Sequence, residues 1–281
     1  MFTFILQNKY GQQVELTHSD KWTVKSIEGL DPPDAVLNMS KDAGVDGSVF
    51  NSAFADNRQI IVTLAINSEA ENNRIELYRY VKTKQEIRVL YQNGTRNVYI
   101  DGYIKSMHVG FFEMKQVAQI TIICPDPYFK DSDSEEIELA SQNRMFEFPF
   151  SIEEPIPFSE IISILDTQVD NPGDVETGVV IRMKARGTVT NPIIYNKNGD
   201  YFKLNITMTA EQEIVISTIK KQKSVTLIDT EGTKTNVVGK IAQGSDWLTL
   251  DPADNYISVG ADSGAVYIDT WIQLTALYEG V

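Results

Sequence analysis

A single cysteine and two histidines are the only soft or readily switched side chains in this 281-residue chain. One cysteine excludes an internal disulfide framework, and three such residues are too few for a zinc centre of the usual Cys/His kind. A nucleophile needs a base within reach, yet Cys124 ends an apolar run beside Pro125, and neither His18 nor His108 lies in a recognisable catalytic pattern. Cys124 therefore reads as a packed strand residue. Phosphate loops and dinucleotide fingerprints are absent too. Positive charge is scarce: 25 Lys and Arg against 39 Asp and Glu leave a net charge of -14. Such a surface repels nucleic acid unless basic residues gather on one face. The densest basic run, Lys220-Lys221-Gln222-Lys223, reads as a solvated turn. No apolar run approaches the ~18 residues a membrane span needs. Residues Met1 to Gln7 show no basic region and no long apolar stretch, so the expectation is a chain with no secretory signal and no membrane insertion.

Carboxylates are abundant enough that a glycosidase-like pair could be drawn almost anywhere, which deprives any one pair of meaning. Asp251, Asp254 and Asp262 raise the question of calcium. The stretch Asp251-Pro252-Ala253-Asp254-Asn255 lacks the alternating oxygen ligands and glycine of an EF-hand loop, and its residue types favour a turn. The expectation is no enzyme, no cofactor and no metal.

What the chain does have is β pattern. Phe2 to Gln7, Gln59 to Ile66, Glu86 to Tyr91, Arg96 to Ile104 and Val117 to Cys124 are rich in β-branched or aromatic residues and bounded by turn formers. Asn93-Gly94 suggests a hairpin turn built on positive φ angles. One helix is expected: Ser68-Glu69-Ala70-Glu71 has capping-box spacing, Ile75, Leu77, Tyr78 and Val81 recur at helical intervals, and Lys82 and Lys84 close the segment. Between Gly29 and Asn57 the pattern breaks into an irregular excursion, too long for a compact connection; it reads as an arm for a neighbouring subunit or as a surface loop. Pro125 and Pro127 should take the chain out of the first sheet after Cys124.

After Phe129, the acidic run Asp131 to Glu136 and the prolines 149, 155 and 157 suggest a linker, placing the boundary between domains at 1–134 and 135–281. Beyond it, Val179 to Ala185, Phe202 to Met208 and Val266 to Leu274 alternate as half-buried strands, which implies a two-sheet sandwich. Trp247, in Gly244-Ser245-Asp246-Trp247-Leu248-Thr249-Leu250, is a candidate sugar contact through its indole face; core or interface packing is the competing reading.

Three regions together resemble the phage distal tail protein family, the hub beneath a long flexible tail. They are Asp46-Gly47-Ser48 leading to Arg58, the strand Ile60 to Leu64 and a helix carrying Arg74, Leu77 and Tyr78; Gly102-Tyr103, taken as a turn, through Phe129; and Gly187 to Asn196, then Trp247 to Leu250, Asn255 to Ile257 and Tyr278 to Val281. The resemblance implies a mainly β chain: an N-terminal β-sandwich or split-barrel domain with one short helix, related to tail-tube proteins, and a C-terminal galectin-like β-sandwich of jelly-roll type. It also implies a virion component of a siphovirus or prophage tail, made in the bacterial cytoplasm and placed at the tail tip. The expected partners are five further copies in a homo-hexamer, the tail tube protein, the tail-tip hub protein, and tape-measure and receptor-binding proteins. DNA would pass through the lumen without specific binding. The alternative is a lectin-like adhesin that binds host polysaccharide through the second sandwich.

Overall fold

Alternation of β-branched residues with polar ones produces pleated strands with one buried face, and this chain repeats the device from end to end. The structure is a computed structural model and describes residues 2–44, 46–67, 69–111, 115–139 and 166–281. Two units divide it: Met1–Asp133 together with Leu277–Val281, and Ser134–Ala276.

The first unit contains β1 (Thr3–Asn8), β2 (Gln13–Glu15), β3 (Trp22–Glu28), β4 (Ala35–Ser40), β5 (Val49–Ala55), β6 (Arg58–Ile66), α1 (Ala70–Tyr80), β7 (Glu86–Gln92), β8 (Asn97–Val109), β9 (Val117–Cys124) and β10 (Phe129–Asp131). An antiparallel sheet runs β2-β1-β7-β8-β9-β6-β3. Among the described residues this path stays open, with β2 and β3 at its edges. Its core face is written in strict parity: on β6 Arg58, Ile60, Val62, Leu64 and Ile66 are all buried. Phe4 and Leu6, Ile87 and Val89, and Ile120 and Ile122 do the same on β1, β7 and β9. Burying a side chain of this size contributes about 1.5–3 kcal/mol, so these rows dominate the unit's stability.

Four local expectations need correction. Gly102 and Tyr103 form no turn; they lie inside the 13-residue strand β8, where a Cβ on Gly102 would meet the Cys124 sulfur at 2.8 Å. The glycine is there for close approach of β8 and β9. The Asn93-Gly94 loop uses no positive φ at either residue. Asn93 instead accepts hydrogen bonds on its side-chain oxygen from the amides of Thr95 and Arg96, an Asx turn in place of a primed one. The two prolines interrupt the ladder only briefly, because β10 resumes pairing with β8 at Tyr99 and Val98. On α1 the buried residues are Asn73 and Leu77, while Ile75 and Tyr78 are exposed. Helical spacing had grouped Ile75 and Tyr78 with Leu77, but Asn73 and Leu77 share the i, i+4 stripe that the sheet covers. Ser68 of the expected capping box lies outside the described residues.

The second unit contains β11 (Glu135–Leu139), β12 (Thr167–Asn171), β13 (Thr177–Gly178), β14 (Val180–Ala185), β15 (Val189–Asn196), β16 (Tyr201–Lys203), β17 (Thr207–Met208), β18 (Glu213–Ser217), β19 (Ser224–Ile228), β20 (Lys234–Asn236), β21 (Thr249–Leu250), β22 (Ala253–Ser263) and β23 (Ile268–Leu274). One sheet runs β11-β23-β14-β18-β19-β20, the other β12-β22-β15-β16 with β17 beside β15. Ile181, Met183, Ile216 and Ile272 of the first share one apolar core with Ile194, Phe202 and Ile257 of the second, the interior of a sandwich.

Here the acidic run proves to be structural at both ends. Asp131 closes β10, and Glu135, Glu136 and Glu138 lie on β11, paired along β23, so only residues 132–134, where the two units divide, stand between strands. Its charge is matched across strands: Arg182 meets Glu136 at 3.4 Å and Glu213 at 2.9 Å. The linker prolines 149, 155 and 157 lie outside the described residues. The expected continuous strand Phe202 to Met208 is divided between Lys203 and Thr207: Leu204 forms an isolated bridge to Ile241 while its amide still donates to the Pro192 carbonyl at 3.1 Å. The strand expected from Val266 begins at Ile268, after a short 3-10 turn.

Leu277 begins β24 (Leu277–Tyr278), which pairs with Lys130 and Phe129 of β10 in the first unit. The second unit is therefore an insertion in the first, which is completed by residues from both sides of it.

Candidate functional site

The excursion after Gly29 is neither irregular nor a loop. β4 and β5 form a two-stranded antiparallel sheet of their own, from Ala35 opposite Ala55 to Ser40 opposite Val49, with a register shift between Asn38 and Met39. Every residue of β4 and all but the last of β5 are exposed. Neither strand contains a charged residue, although the whole chain carries a net charge of -14. Leu37 and Met39 are each 52% exposed, Phe50 60% and Phe54 54%. Apolar groups occur at both strand parities, which is why the run lacked the alternation that marks a half-buried strand.

Isolated two-stranded ribbons are marginal in water, and exposed edges invite pairing. Charge, proline or brevity usually protects such an edge; this arm has no charge and no proline in its strands. Its chemistry is that of a surface made to be covered.

At the root of the arm the backbone is tightly constrained. Gly29 has φ +84°, and a Cβ there would approach the Gln59 carbonyl oxygen at 2.1 Å, so no other residue fits. Arg58, only 3% exposed, donates from Nε to the Pro127 carbonyl at 2.6 Å and from Nη1 to the Gly29 carbonyl at 2.7 Å, and also to the carbonyls of Asp31 and Glu279. Burial lowers its affinity for a proton, while the charges of Asp31 and Glu279 act in the opposite sense.

The residues weighed as chemistry lie apart from this root or are engaged otherwise. Burial pushes the Cys124 thiol up to about 12, which leaves it protonated and unreactive at neutral pH. His18 is exposed, with Nδ1 2.6 Å from Glu15, and His108 is exposed on β8. The Asp251 amide donates to the Asn255 side-chain oxygen at 3.0 Å, in a turn. Asp262 holds Lys203 at 2.7 Å and Asn191 at 2.8 Å, which keeps its carboxyl below the ordinary range. Among the described residues no cluster of three His, Cys, Asp or Glu could hold a metal ion. The run Lys220 to Lys223 is an exposed turn. Trp247 is half-buried: its ring lies 5.1 Å from Phe202, and the Lys223 ammonium sits 5.3 Å over it.

Arg58 was legible only as a residue before a strand. Extending the alternation of β6 by one step would have placed it on the core face, where an arginine demands partners.

Residues 172–271 match the family model described as the siphovirus-type tail component, C-terminal domain. The matched residues all lie within the second unit. A comparison with curated proteins finds no match. Among solved structures, the chain is similar to the Dit (gp 19.1) protein of phage SPP1, described as a paradigm of the hub adsorption apparatus in phages infecting Gram-positive bacteria. The identity is 14%, with 99% of each chain covered and a TM-score of 0.71. It is also similar to a chain of the phage P2 baseplate in its calcium-activated conformation, at 11% identity over 97% of this chain and 98% of the other, with a TM-score of 0.51. The same baseplate activated with strontium matches at 11% identity over 98% and 99%, also at 0.51. The likeness of fold thus extends beyond residues 172–271 to the first unit, the one that carries the arm.

Proposed function

We propose that this chain is the distal tail hub of a siphovirus-type particle: a structural protein that closes into a homo-hexameric ring and joins the tail tube to the tail-tip apparatus. The observation that carries the reading is the arm, whose strands hold no charge and are exposed at all but one residue, in a chain whose fold matches that of the hub protein over its whole length. A heterologous contact, arm of one copy on the body of the next, generates a closed ring when the rotation closes. Work of this kind needs no active site.

Partners follow from position in such a particle: the tube protein on one side, the tip protein on the other, with tape-measure and receptor-binding proteins as further neighbours. The surplus of carboxylates suits a conduit, since a pore that passes DNA must not hold phosphate. We assign part of that surplus to the lumen of the ring; a ring with a neutral or basic channel would contradict it. Native mass measurement with negative-stain imaging tests the main reading. Six-fold rings are expected, and a subunit that stays solitary even with tube and tip partners would overturn it.

A further inference from the structure

The arm has no cover, but its root has an unusually complete one. Each of the four acceptors named for Arg58 is a main-chain carbonyl, so the guanidinium fixes backbone rather than side chains. Gly29 and Asp31 belong to the segment that enters the arm, Pro127 to the break between β9 and β10, and Glu279 to the segment after β24. Arginine suits this place because its donors are fixed in one plane and point several ways, whereas lysine presents three donors on a single atom. The Phe129 ring, 4.7 Å from the guanidinium carbon, completes the enclosure.

Residues 277–281 close the same root from another direction. Tyr278 donates its hydroxyl to Asp131 at 3.0 Å, and the Arg96 guanidinium lies 3.7 Å over its ring. The Val281 amide donates to the Leu30 carbonyl at 3.2 Å. Gly280 lies so near that a Cβ would meet the Leu30 oxygen and Pro32 Cδ, each at 3.2 Å. Leu30 and Pro32 stand between Gly29 and β4, in the stretch that aims the arm.

We infer that Arg58 and residues 277–281 form a latch that positions the arm for docking on the neighbouring copy. The inference rests on the reading of the arm as the subunit-docking element. Arg58 touches no partner in this scheme; it is a positioning residue, acting through the backbone at 29–31.

The test uses the full chain as a monomer and under assembly conditions. Cys124 is buried and unreactive, so a dye on Lys41→Cys reports the arm tip by fluorescence anisotropy, and hydrogen exchange reports the arm root at Asp56, whose amide donates to the Asp34 carbonyl. In Arg58→Met, and in a chain shortened to end at Ala276, exchange at Asp56 is expected to quicken at least about tenfold, with anisotropy falling. Ring yield should fall with it, while the second unit melts as before. Arg58→Lys should not restore the arm; a peptide spanning 276–281, added to the shortened chain, should. Should these variants fail to fold, Gly280→Val crowds Leu30 and Pro32 without removing any donor and should show the same loosening. Unchanged exchange in folded variants would overturn the latch, as would a loosened arm with undiminished rings. If the parent chain forms no rings at all, the hub reading falls, and the latch is then decided by the exchange data alone.

Discussion

Cys124 shows how one residue's chemistry is set by its neighbours. Sealed between β6 and β8 and raised to about 12, its thiol loses a proton later in the folded chain than in the unfolded one. A group whose folded value is raised gives its full stabilisation below the unfolded value, so this contribution wanes as pH climbs from about 9 toward 12, by up to about 1.4 kcal/mol per pH unit. Urea titrations across that range, compared with Cys124→Ala, should show the steeper loss in the parent. Thiol reagents at pH 8 should label only unfolded chain. Trp247→Ala should lower the unfolding free energy of the second unit by about 1–3 kcal/mol through lost packing on Phe202; glycan binding that vanishes with the fold intact would favour a sugar contact instead. At this scale the sequence conveyed Cys124 well, because its apolar neighbours adjoin it in the chain. Arg58 stayed hidden because its acceptors lie at positions 29, 31, 127 and 279, a convergence that local spacing cannot display.

Elements with one buried face were readable, and those without were not. β1, β6, β7, β8 and β9 carry clean alternation and lie close to where periodicity puts them. β4 and β5 fail that rule because solvent bathes both of their faces, so their residues have no inside to point toward. Even so, the stretch stood out as too long for a simple connection, and its role as an arm was argued from that length. Phe50→Glu or Leu37→Glu should leave the melting temperature almost unchanged, since neither side chain is buried within the subunit, yet abolish ring formation in native mass spectra. An equal drop in stability would mean that the arm packs on its own subunit.

For the whole molecule, like charge is the dominant long-range force. Copies that each carry -14 repel one another; on the proposed docking through β4 and β5, whose strands hold no charge, that repulsion acts over distances where ions screen it. Ring yield should therefore rise as sodium chloride increases from about 10 to 300 mM, over which the Debye length shrinks from about 30 Å to below 8 Å. Analytical ultracentrifugation would reveal it, and rings favoured by low salt would contradict an uncharged seam. Composition and pattern led to the expectation of two sheet-built units cut at 134. The return of Leu277–Val281 to the first unit was not legible, because two residues of strand carry no periodicity.

That return has a consequence for the order of events in synthesis. Since β24 and the Glu279 carbonyl belong to the unit that is translated first, a nascent chain can have its second unit made while its first unit still lacks a strand. Ribosome-bound chains halted before Leu277 should then be unable to recruit free subunits, whereas chains extended past Val281 by a tether should do so. On the proposed hub reading this acts as a built-in timer: copies become mutually adhesive only once residues 277–281 have been made.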